Sequence, residues 1–244
     1  MSEARGRILA RIRGSLNRGA LEPTTQAKLR SRVTEHPRNL VPARATALDP
    51  VAREGLFIEM AEEVQATVAR VSSLAAVPEA VARYLAAENL PAELVMAPDP
   101  GLNTIPWEAW PLLRIHRGRA GAEDRVSLTS CRAAIAETGT LMLISGPETP
   151  TTLNLLPDTH IVVVRRDQVV ATYEDGLDLL RADRASAALP RVINFITGPS
   201  RTADIEQHMQ LGAHGPRHLH IVLVEDGQAA RSVEDDEQRK ARAE

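Results

Sequence analysis

The sequence predicts an α/β domain with a mostly parallel sheet covered by helices on both faces, and two observations indicate this fold class. First, near-continuous apolar runs occur at residues 140–146, 160–166, 192–198 and 218–225, which is typical of strands buried on both faces. Second, segments with helical periodicity separate strands along the chain, as parallel sheets require. The 244 residues, 43% of them apolar, are enough to bury a sizeable core.

The regular alternation begins at residue 51 and predicts the elements in order. Periodicity predicts helices at residues 51–63, 77–90, 167–182 and 202–211. Shorter apolar segments predict further strands at residues 67–73, 92–98, 111–117 and 125–131. Pro78 is compatible with its helix because it falls in the first turn, where the missing N–H is not needed. Residues 132–139 predict one or two turns of helix.

The two ends of the chain depart from this pattern. Residues 1–50 predict an N-terminal helix, with Ile8 and Ile12 on one face and arginines elsewhere, followed by a proline-containing irregular arm. The helix could bind a membrane surface or RNA, or it could dock on its own domain or a partner subunit. Docking is favoured because the positive block is short. Residues 51–226 predict the α/β domain, and residues 227–244 predict a charged, frayed tail.

Composition excludes several classes of protein. Aromatic residues make up 2% of the chain and the net charge is −3, so the stacking platforms and positive field that favour nucleic-acid binding are lacking. Cys131 is the single cysteine, which excludes an internal disulfide and a four-cysteine zinc or iron–sulfur site. No apolar run approaches the ~18 residues of a membrane span, and no signal-peptide pattern begins the sequence. The expected compartment is therefore the cytoplasm.

Two apolar runs end alike, in Ile, then Ser or Thr, then Gly-Pro, at residues 144–147 and 196–199. Ligands of open α/β sheets bind outside the carboxyl ends of the strands. If the two strands run parallel, both Gly-Pro turns lie at the same edge. The sequence therefore predicts that the two turns form two walls of one cleft.

The second ending continues into GPSRTADIE, which predicts a helix beginning beside a cation. Gly198 permits a sharp exit from the strand, Ser200 or Thr202 can cap the helix, and Asp204 favours its first turn. The free N–H groups of such a terminus, next to Arg201, would bind phosphate or carboxylate. The alternative is capping alone, with Arg201 paired to an acidic neighbour.

The segment AETGT places a carboxylate, Glu137, in an apolar context. Such a group is paired, hydrogen-bonded or raised in pKa. It could act as a general acid/base or nucleophile, or it could be a structural acceptor of loop N–H groups. Thr138 and Thr140 offer hydroxyls, and Gly139 permits a close approach of backbone or ligand. His214, between two loop glycines, is a further candidate ligand contact. The histidines show no H-E-x-x-H spacing, so no metal site is predicted.

Two long segments, AIAETGTLMLISGPETPTTLNLLPDTHIVVVRRDQVV (134–170) and ITGPSRTADIEQHMQLGAHGPRHLHIVLVED (196–226), resemble the lactate-utilisation protein C family, also called the LUD-domain or YkgG-like family. The resemblance implies a fold similar to the NagB/RpiA/CoA-transferase-like group, a Rossmann-like three-layer sandwich. It also implies membership of a three-part system that supports oxidation of L-lactate to pyruvate. Two partner proteins would carry the iron–sulfur clusters, and this chain would carry no cofactor.

The family motifs match residues 137–140, 145–147 and 198–204, together with His214. Glu148 stands where the resemblance would place a basic residue, which leaves Arg201 as the main expected cation. The predicted catalytic residue is Glu137, by fold-level analogy only. The predicted ligand-binding residues are Thr138, Gly139, Thr140, Ser145, Gly146, Gly198, Ser200, Arg201, Thr202, Asp204 and His214. The alternatives are a stand-alone sugar-phosphate isomerase or CoA-transferase-like enzyme, and a structural or regulatory subunit with a vestigial cleft; self-association stays open.

Overall fold

The computed structural model describes residues 3–17, 19–38, 40–182, 189–205, 208–212 and 214–225, with the backbone alone described at 203–205 and 208–211. The chain divides into two compact units, Met1–Val41 and Pro42–Glu244. The predicted tail at 227–244 lies outside the described residues.

The first unit contains two helices, α1 (Glu3–Ser15) and α2 (Pro23–Glu35), and neither contains a buried residue. The helix predicted in the arginine-rich segment is confirmed. The irregular arm predicted after residue 21 is wrong over α2, because Pro23 occupies the first helical position, where a proline costs no hydrogen bond. The helix ends before Pro37, with His36 in the left-handed conformation.

The second unit contains six helices and twelve strands among its described residues. The helices are α3 (Ala43–Thr46), α4 (Pro50–Glu63), α5 (Val77–Ala87), α6 (Pro100–Asn103), α7 (Thr152–Leu155) and α8 (Tyr173–Ala182). The strands are β1 (Thr67–Val71), β2 (Glu93–Met96), β3 (Arg114–Arg117), β4 (Val126–Ser130), β5 (Ala133–Ile135), β6 (Thr140–Ile144), β7 (Thr159–Arg165), β8 (Val169–Val170), β9 (Ile193–Ile196), β10 (Arg201–Ile205), β11 (His208–Leu211) and β12 (His218–Val224).

Six of these strands form the main sheet, in the order β1-β12-β7-β4-β2-β3, and every neighbouring pair is parallel. Alternate residues of the central strands belong to different cores. Ile161 and Val163 pack with α5, whereas Val162 and Val164 pack with α4 and the strands β5 and β6. The sheet is therefore buried on both faces, and the predicted Rossmann-like three-layer arrangement is confirmed.

A second sheet, in the order β8-β5-β6-β9, covers part of one face of the main sheet. Its other face packs against α8. Two predictions fail here. Residues 133–135 form a strand rather than helix, because β5 and β6 make a hairpin whose loop closes at Gly139 with φ of 64°. The runs containing β6 and β9 are not parallel strands of the main sheet, because they pair antiparallel with Leu141 opposite Ile196 and Ile144 opposite Ile193.

The helix predicted at 202–211 is also wrong. Its described residues form the antiparallel strands β10 and β11. The N–H of Ser200 donates to the carbonyl oxygen of Pro216 at 2.8 Å, and that of Gly212 donates to the carbonyl oxygen of Ser200 at 2.9 Å. These bonds hold the segment in an antiparallel hairpin, where the sequence predicted a helix.

A buried charge cluster ties α4 to the carboxyl ends of the main strands. Glu54, with 1% of its side chain exposed, accepts from Arg70 at 3.0 Å and from Arg166. Glu225 accepts from the same Arg70 at 2.8 Å. Because a buried carboxylate is stable only when paired, these bonds fix the chain where β7 ends, at the edge of the cavity described below.

Candidate functional site: a cavity at the carboxyl edge

A cavity of about 480 Å³ opens at the carboxyl ends of β2, β4 and β7. The neighbours β2 and β4 lead away in opposite directions, because β2 continues to β3 on one side and β4 leads towards β7 on the other. Such a reversal leaves a crevice between the two loops, which is where open α/β sheets bind ligands. The volume lies within the range of small-molecule sites.

The cavity has charged residues from three strand ends. Asp99 follows β2, Arg132 follows β4, and Arg165 is the last residue of β7. One carboxylate oxygen of Asp99 accepts the N–H of Gly101 at 2.7 Å, and the other accepts the hydroxyl of Ser130. Asp99 is therefore held by α6 on one side and by β4 on the other.

Arg165 is positioned by the turn that follows it. Its backbone N–H donates to the side-chain oxygen of Gln168 at 2.8 Å, and its Nε lies 3.2 Å from a carboxylate oxygen of Asp167. The amide nitrogen of Gln168 donates in turn to the carbonyl oxygen of Cys131 at 2.7 Å. The arginine at the end of β7 is thus linked to the backbone at the end of β4.

The remaining wall combines apolar side chains, among them Cys131, with polar ones that include the carboxylate of Glu148. The apolar lining residues are Leu74, Leu102, Ile105, Leu143, Ile144 and Val163. Burial raises the pKa of the Cys131 thiol to about 12, against a smaller lowering effect of Arg165 and Arg132. A thiol of that pKa is neutral at pH 7 and is not a nucleophile. The prediction that Cys131 is a small buried residue is confirmed.

A buried histidine lies beneath this wall. His160 on β7 is fully buried, and its Nε2 lies 2.8 Å from the hydroxyl oxygen of Thr129, a residue that lines the cavity. Burial lowers the pKa of His160 to about 3, so the ring is neutral at physiological pH. Its Nδ1 is buried, and no hydrogen-bonding atom of the described residues contacts it.

The AETGT segment lies at the other end of the small sheet and contributes no residue to the cavity lining. An oxygen of the Glu137 carboxylate accepts the N–H of Tyr173, the first residue of α8, at 3.1 Å. Arg44 donates to the carbonyl oxygen of Glu137. The contacts are those of a structural acceptor of backbone N–H groups, one of the two roles expected from sequence, and the catalytic role stays a prediction.

Four hydroxyls meet beside Glu137. The Thr140 oxygen lies 2.7 Å from that of Thr138, 2.7 Å from that of Thr197 and 3.0 Å from that of Tyr173. Thr140 is completely buried. The hydroxyls therefore bond mainly to each other, and they join the β5–β6 turn to the end of β9.

The two Gly-Pro turns consequently do not form two walls of one cleft. Ser145 and Gly146 line the cavity, whereas Gly198 packs against Val64 at the end of α4. Antiparallel pairing of β6 and β9 sends the two endings in opposite directions. The structure thus brings Glu137 and its threonines towards the second Gly-Pro turn and away from the first.

The remaining predicted site residues lie around the second turn. Arg201 is exposed at the start of β10, Thr202 is buried in the same strand, and His214 is exposed. Asp204 lies in the second half of β10, residues 203–205, of which only the backbone is described. Because β10 replaces the expected helix, the helix N-terminus that was to bind an anion is lost, and anion binding here stays a prediction without that support.

Sequence reasoning missed Asp99, Ser130, Arg132 and Arg165. Each stands at the carboxyl end of a strand that the sequence did predict. The tendency of ligands to bind outside the carboxyl ends of parallel strands is the signal that points to them. Among the residues that the structure describes, no group of three His, Cys, Asp or Glu side chains could hold a metal ion, and no helix is long and apolar enough to cross a membrane.

The parallel sheet, its three layers and the cavity at the strand reversal define a Rossmann-like α/β protein. The chain belongs to the LUD domain family, whose model matches residues 55–224. The family predicted from the two long motifs is thereby confirmed.

Relatives and a solved structure agree with this membership. Proteins named lactate utilization protein C are 42% identical over 98 residues in Deinococcus radiodurans (40% of this chain, 45% of the relative) and 35% identical over 105 residues in Bacillus subtilis (43% and 44%). The matches thus span less than half the length of these relatives. A crystal structure of a DUF162 family protein from Deinococcus radiodurans superposes with a TM-score of 0.56 at 28% identity, covering 72% of this chain and 99% of that one.

Proposed function

We propose that this protein acts in lactate utilisation, as a cytoplasmic, cluster-free subunit of a complex that oxidises L-lactate to pyruvate, and that its cavity binds the carboxylate of the substrate. Two kinds of support carry the proposal. The relatives that share 35% and 42% identity are named for lactate utilisation. The observation on which the site itself depends is that Arg132 and Arg165 line one cavity at the sheet reversal.

Arg165 is the residue best placed to bind a carboxylate. A guanidinium presents paired N–H groups that match the two oxygens of a carboxylate. Its backbone is fixed by Gln168 and its Nε is held by Asp167 at 3.2 Å, so part of the side-chain ordering needed for binding is already in place. Arg132, from the adjacent strand end, would provide the second positive charge.

The reaction divides between this chain and its proposed partners. Conversion of L-lactate to pyruvate releases two electrons and two protons. We assign the electrons to the iron–sulfur clusters of two partner proteins, the two protons to solvent, and the binding and orientation of the acid to this chain. The surrounding apolar wall would reduce the access of water and strengthen the arginine–carboxylate attraction.

The first test omits or alters this chain in the reconstituted three-protein system. We expect lactate oxidation to depend on the chain, and Arg165→Gln to lower the rate about 10-fold, which corresponds to loss of one charge-assisted hydrogen bond. Arg201→Gln is the matched control, because Arg201 is exposed and lies outside the cavity lining; we expect it to retain at least about half the rate.

Two results would contradict the proposal at different levels. Undiminished oxidation in the absence of the chain would remove it from the reaction altogether. Dependence on the chain together with a larger loss for Arg201→Gln than for Arg165→Gln would move the site to the opposite end of the small sheet. Thermal unfolding of each variant, measured beforehand, excludes loss of fold as the cause.

A further inference from the structure

Four aliphatic side chains line one side of the cavity, and they are called the aliphatic wall below: Leu74, Leu102, Ile105 and Val163. All of them belong to, or pack against, the core between α5 and the main sheet. Leu74 is only half-buried, so it has apolar surface left for a ligand to cover. Such a wall favours a hydrocarbon group, because the contact removes apolar surface from water.

Arg165 enters the cavity from the same face of the main sheet as this wall. Successive side chains of a strand point to opposite faces, and Arg165 stands two residues after Val163 on β7. Val164, between them, packs in the core on the other face, and Arg166 pairs with Glu54 of α4. The cation proposed to bind the carboxylate therefore lies beside the aliphatic wall.

Lactate is small for this cavity. A water molecule takes roughly 30 Å³ of the liquid, and lactate takes the space of about four waters. Lactate would therefore fill about a quarter of a cavity of about 480 Å³. Its carbon chain spans only about 2.5 Å between the end carbons. With the carboxylate on Arg165, most of the aliphatic wall would stay uncovered.

The charges of the cavity limit what the rest of a ligand can be. Among the described residues that line it, two guanidinium groups face two carboxylates, those of Asp99 and Glu148. The Asp99 carboxylate is held in place by the N–H of Gly101 at 2.7 Å and by the hydroxyl of Ser130. A second anionic group on the ligand would add net negative charge to a site of reduced dielectric constant. The group that follows the carboxylate is therefore uncharged.

We propose that the cavity prefers 2-hydroxy acids with one carboxylate and a hydrocarbon side chain longer than that of lactate, and that Leu74 determines this preference. An extended chain of six carbons spans about 6 Å, which lets its end lie on the aliphatic wall while the carboxylate stays on Arg165. The 2-hydroxy acid head and its binding to Arg165 rest on the proposed function. The preference for a long, uncharged side chain rests on the wall, the volume and the charges.

The first test measures a series of acids by calorimetry on the full chain: L-lactate, L-2-hydroxybutyrate, L-2-hydroxyvalerate and L-2-hydroxyhexanoate. Each added CH₂ that is buried should tighten binding about fourfold. The six-carbon acid should therefore bind about 50-fold more tightly than lactate. Affinities that stay equal or fall with chain length, or binding of no member of the series, would overturn the inference.

The charge requirement is tested with a matched pair of five-carbon acids. L-2-hydroxyglutarate differs from L-2-hydroxyvalerate by a second carboxylate at the end of the chain. We expect the dicarboxylate to bind at least about 10-fold more weakly, because its second charge is added to a lining whose charges are already balanced. Equal or tighter binding of the dicarboxylate would show that the far part of the cavity accepts an anion, and the preference for an uncharged chain would be wrong.

Leu74→Trp tests the wall itself, because the larger side chain would occupy the space assigned to the hydrocarbon. The variant should bind 2-hydroxyhexanoate at least about 10-fold more weakly and lactate within about threefold of the parent. Leu74→Met, of similar volume, should keep the parent's series. Leu112→Trp is the control, since Leu112 is exposed and lies outside the cavity lining. An unchanged series in Leu74→Trp, with normal thermal unfolding, would contradict the role of Leu74.

The inference and the proposed function can fail separately. Affinity that rises with chain length, together with lactate oxidation that does not need this chain in the reconstituted system, would refute the proposed function and leave the ligand preference standing. Equal affinities along the series, together with lactate oxidation that depends on the chain, would refute the ligand preference alone.

Discussion

The strands β6 and β9 end in nearly the same four residues, but the two endings lie in different surroundings. The cavity end, residues 144–147, places Gly146 in an exposed turn beside an open space. The packed end, residues 196–199, places a buried Gly198 with φ of +80° against the backbone of α4. Gly-Pro ends the strand in both places. The motif therefore indicates a turn, and it does not by itself indicate a ligand site. Strand direction decides which turn lies beside the cavity.

The polar groups of the two ends also differ: those of the packed end bond to one another, and those of the cavity end border an open volume. At the packed end, the hydroxyls of Thr138, Thr140 and Thr197 bond to one another or to Tyr173. At the cavity end, Asp99, Arg132 and Arg165 border a volume of about 480 Å³. A region whose polar groups satisfy each other stabilises the fold, whereas convergent polar groups around an open volume can bind a ligand.

The largest expected effect comes from substituting the two glycines of the matched turns. In Gly198→Ala the new Cβ would lie 2.5 Å from the carbonyl oxygen of Val64 at a backbone angle that alanine rarely adopts. We expect a loss of about 3 kcal/mol in the free energy of unfolding, measured by urea denaturation. In Gly146→Ala the nearest atom is the Thr149 hydroxyl at 3.4 Å, and the expected change is below about 1 kcal/mol.

For ligand affinity we expect the opposite order of effects from the two glycine substitutions. Gly146 lines the cavity and Gly198 does not, so Gly146→Ala should alter lactate affinity more than it alters stability. Equal destabilisation by the two substitutions would show that the two turns share one environment, and the contrast between a packed end and a cavity end would then be wrong.

The main sheet could be predicted because its strands have a local signature. β7 and β12 are buried on both faces, and each contains an uninterrupted apolar run, IVVV and IVLV. The segments 133–135 and 202–211 lack such a signature, because short runs fit either period and the deciding contacts are distant in sequence. The N–H of Ser200, for example, donates to Pro216, a bond that no local pattern of residues indicates.

The site was predicted only in part for a related reason. Ser145 and Gly146 were found from a motif next to a predicted strand end. Arg165 and Asp99 follow strands that were also predicted, but the order of strands in the sheet was unknown. Only that order, β7-β4-β2, shows that these strand ends meet at a reversal. The direction of β9 relative to β6 was unknown as well, so the sequence could not show that Glu137 lies at the packed end and outside the cavity lining.

A smaller effect is expected from the hydroxyl cluster of the packed end. Thr140→Val removes a fully buried oxygen that bonds to three neighbouring hydroxyls. We expect a loss of about 2 kcal/mol by thermal or urea denaturation, since buried partners would be left unpaired. The matched substitution Thr197→Val, at the exposed member of the cluster, should cost less than about 1 kcal/mol. Lactate oxidation by both variants at 25 °C should stay near that of the parent, and a selective loss of activity would assign a ligand to this end.

The smallest expected effect is that of Glu137→Gln, and it tests most directly whether the packed end takes part in chemistry. The Gln side-chain oxygen can replace the carboxylate oxygen that accepts from Tyr173 at 3.1 Å. The substitution removes the charge but keeps the acceptor, so the free energy of unfolding should change by less than about 1 kcal/mol, and lactate oxidation should stay within about twofold. Glu137→Ala, which removes the acceptor at the start of α8, should cost about 1 kcal/mol more. A general acid or nucleophile would behave differently, because the neutral amide can neither transfer the proton nor attack, and the rate would fall by about 100-fold or more with the fold intact. That outcome would return Glu137 to the mechanism and require the substrate to reach the packed end.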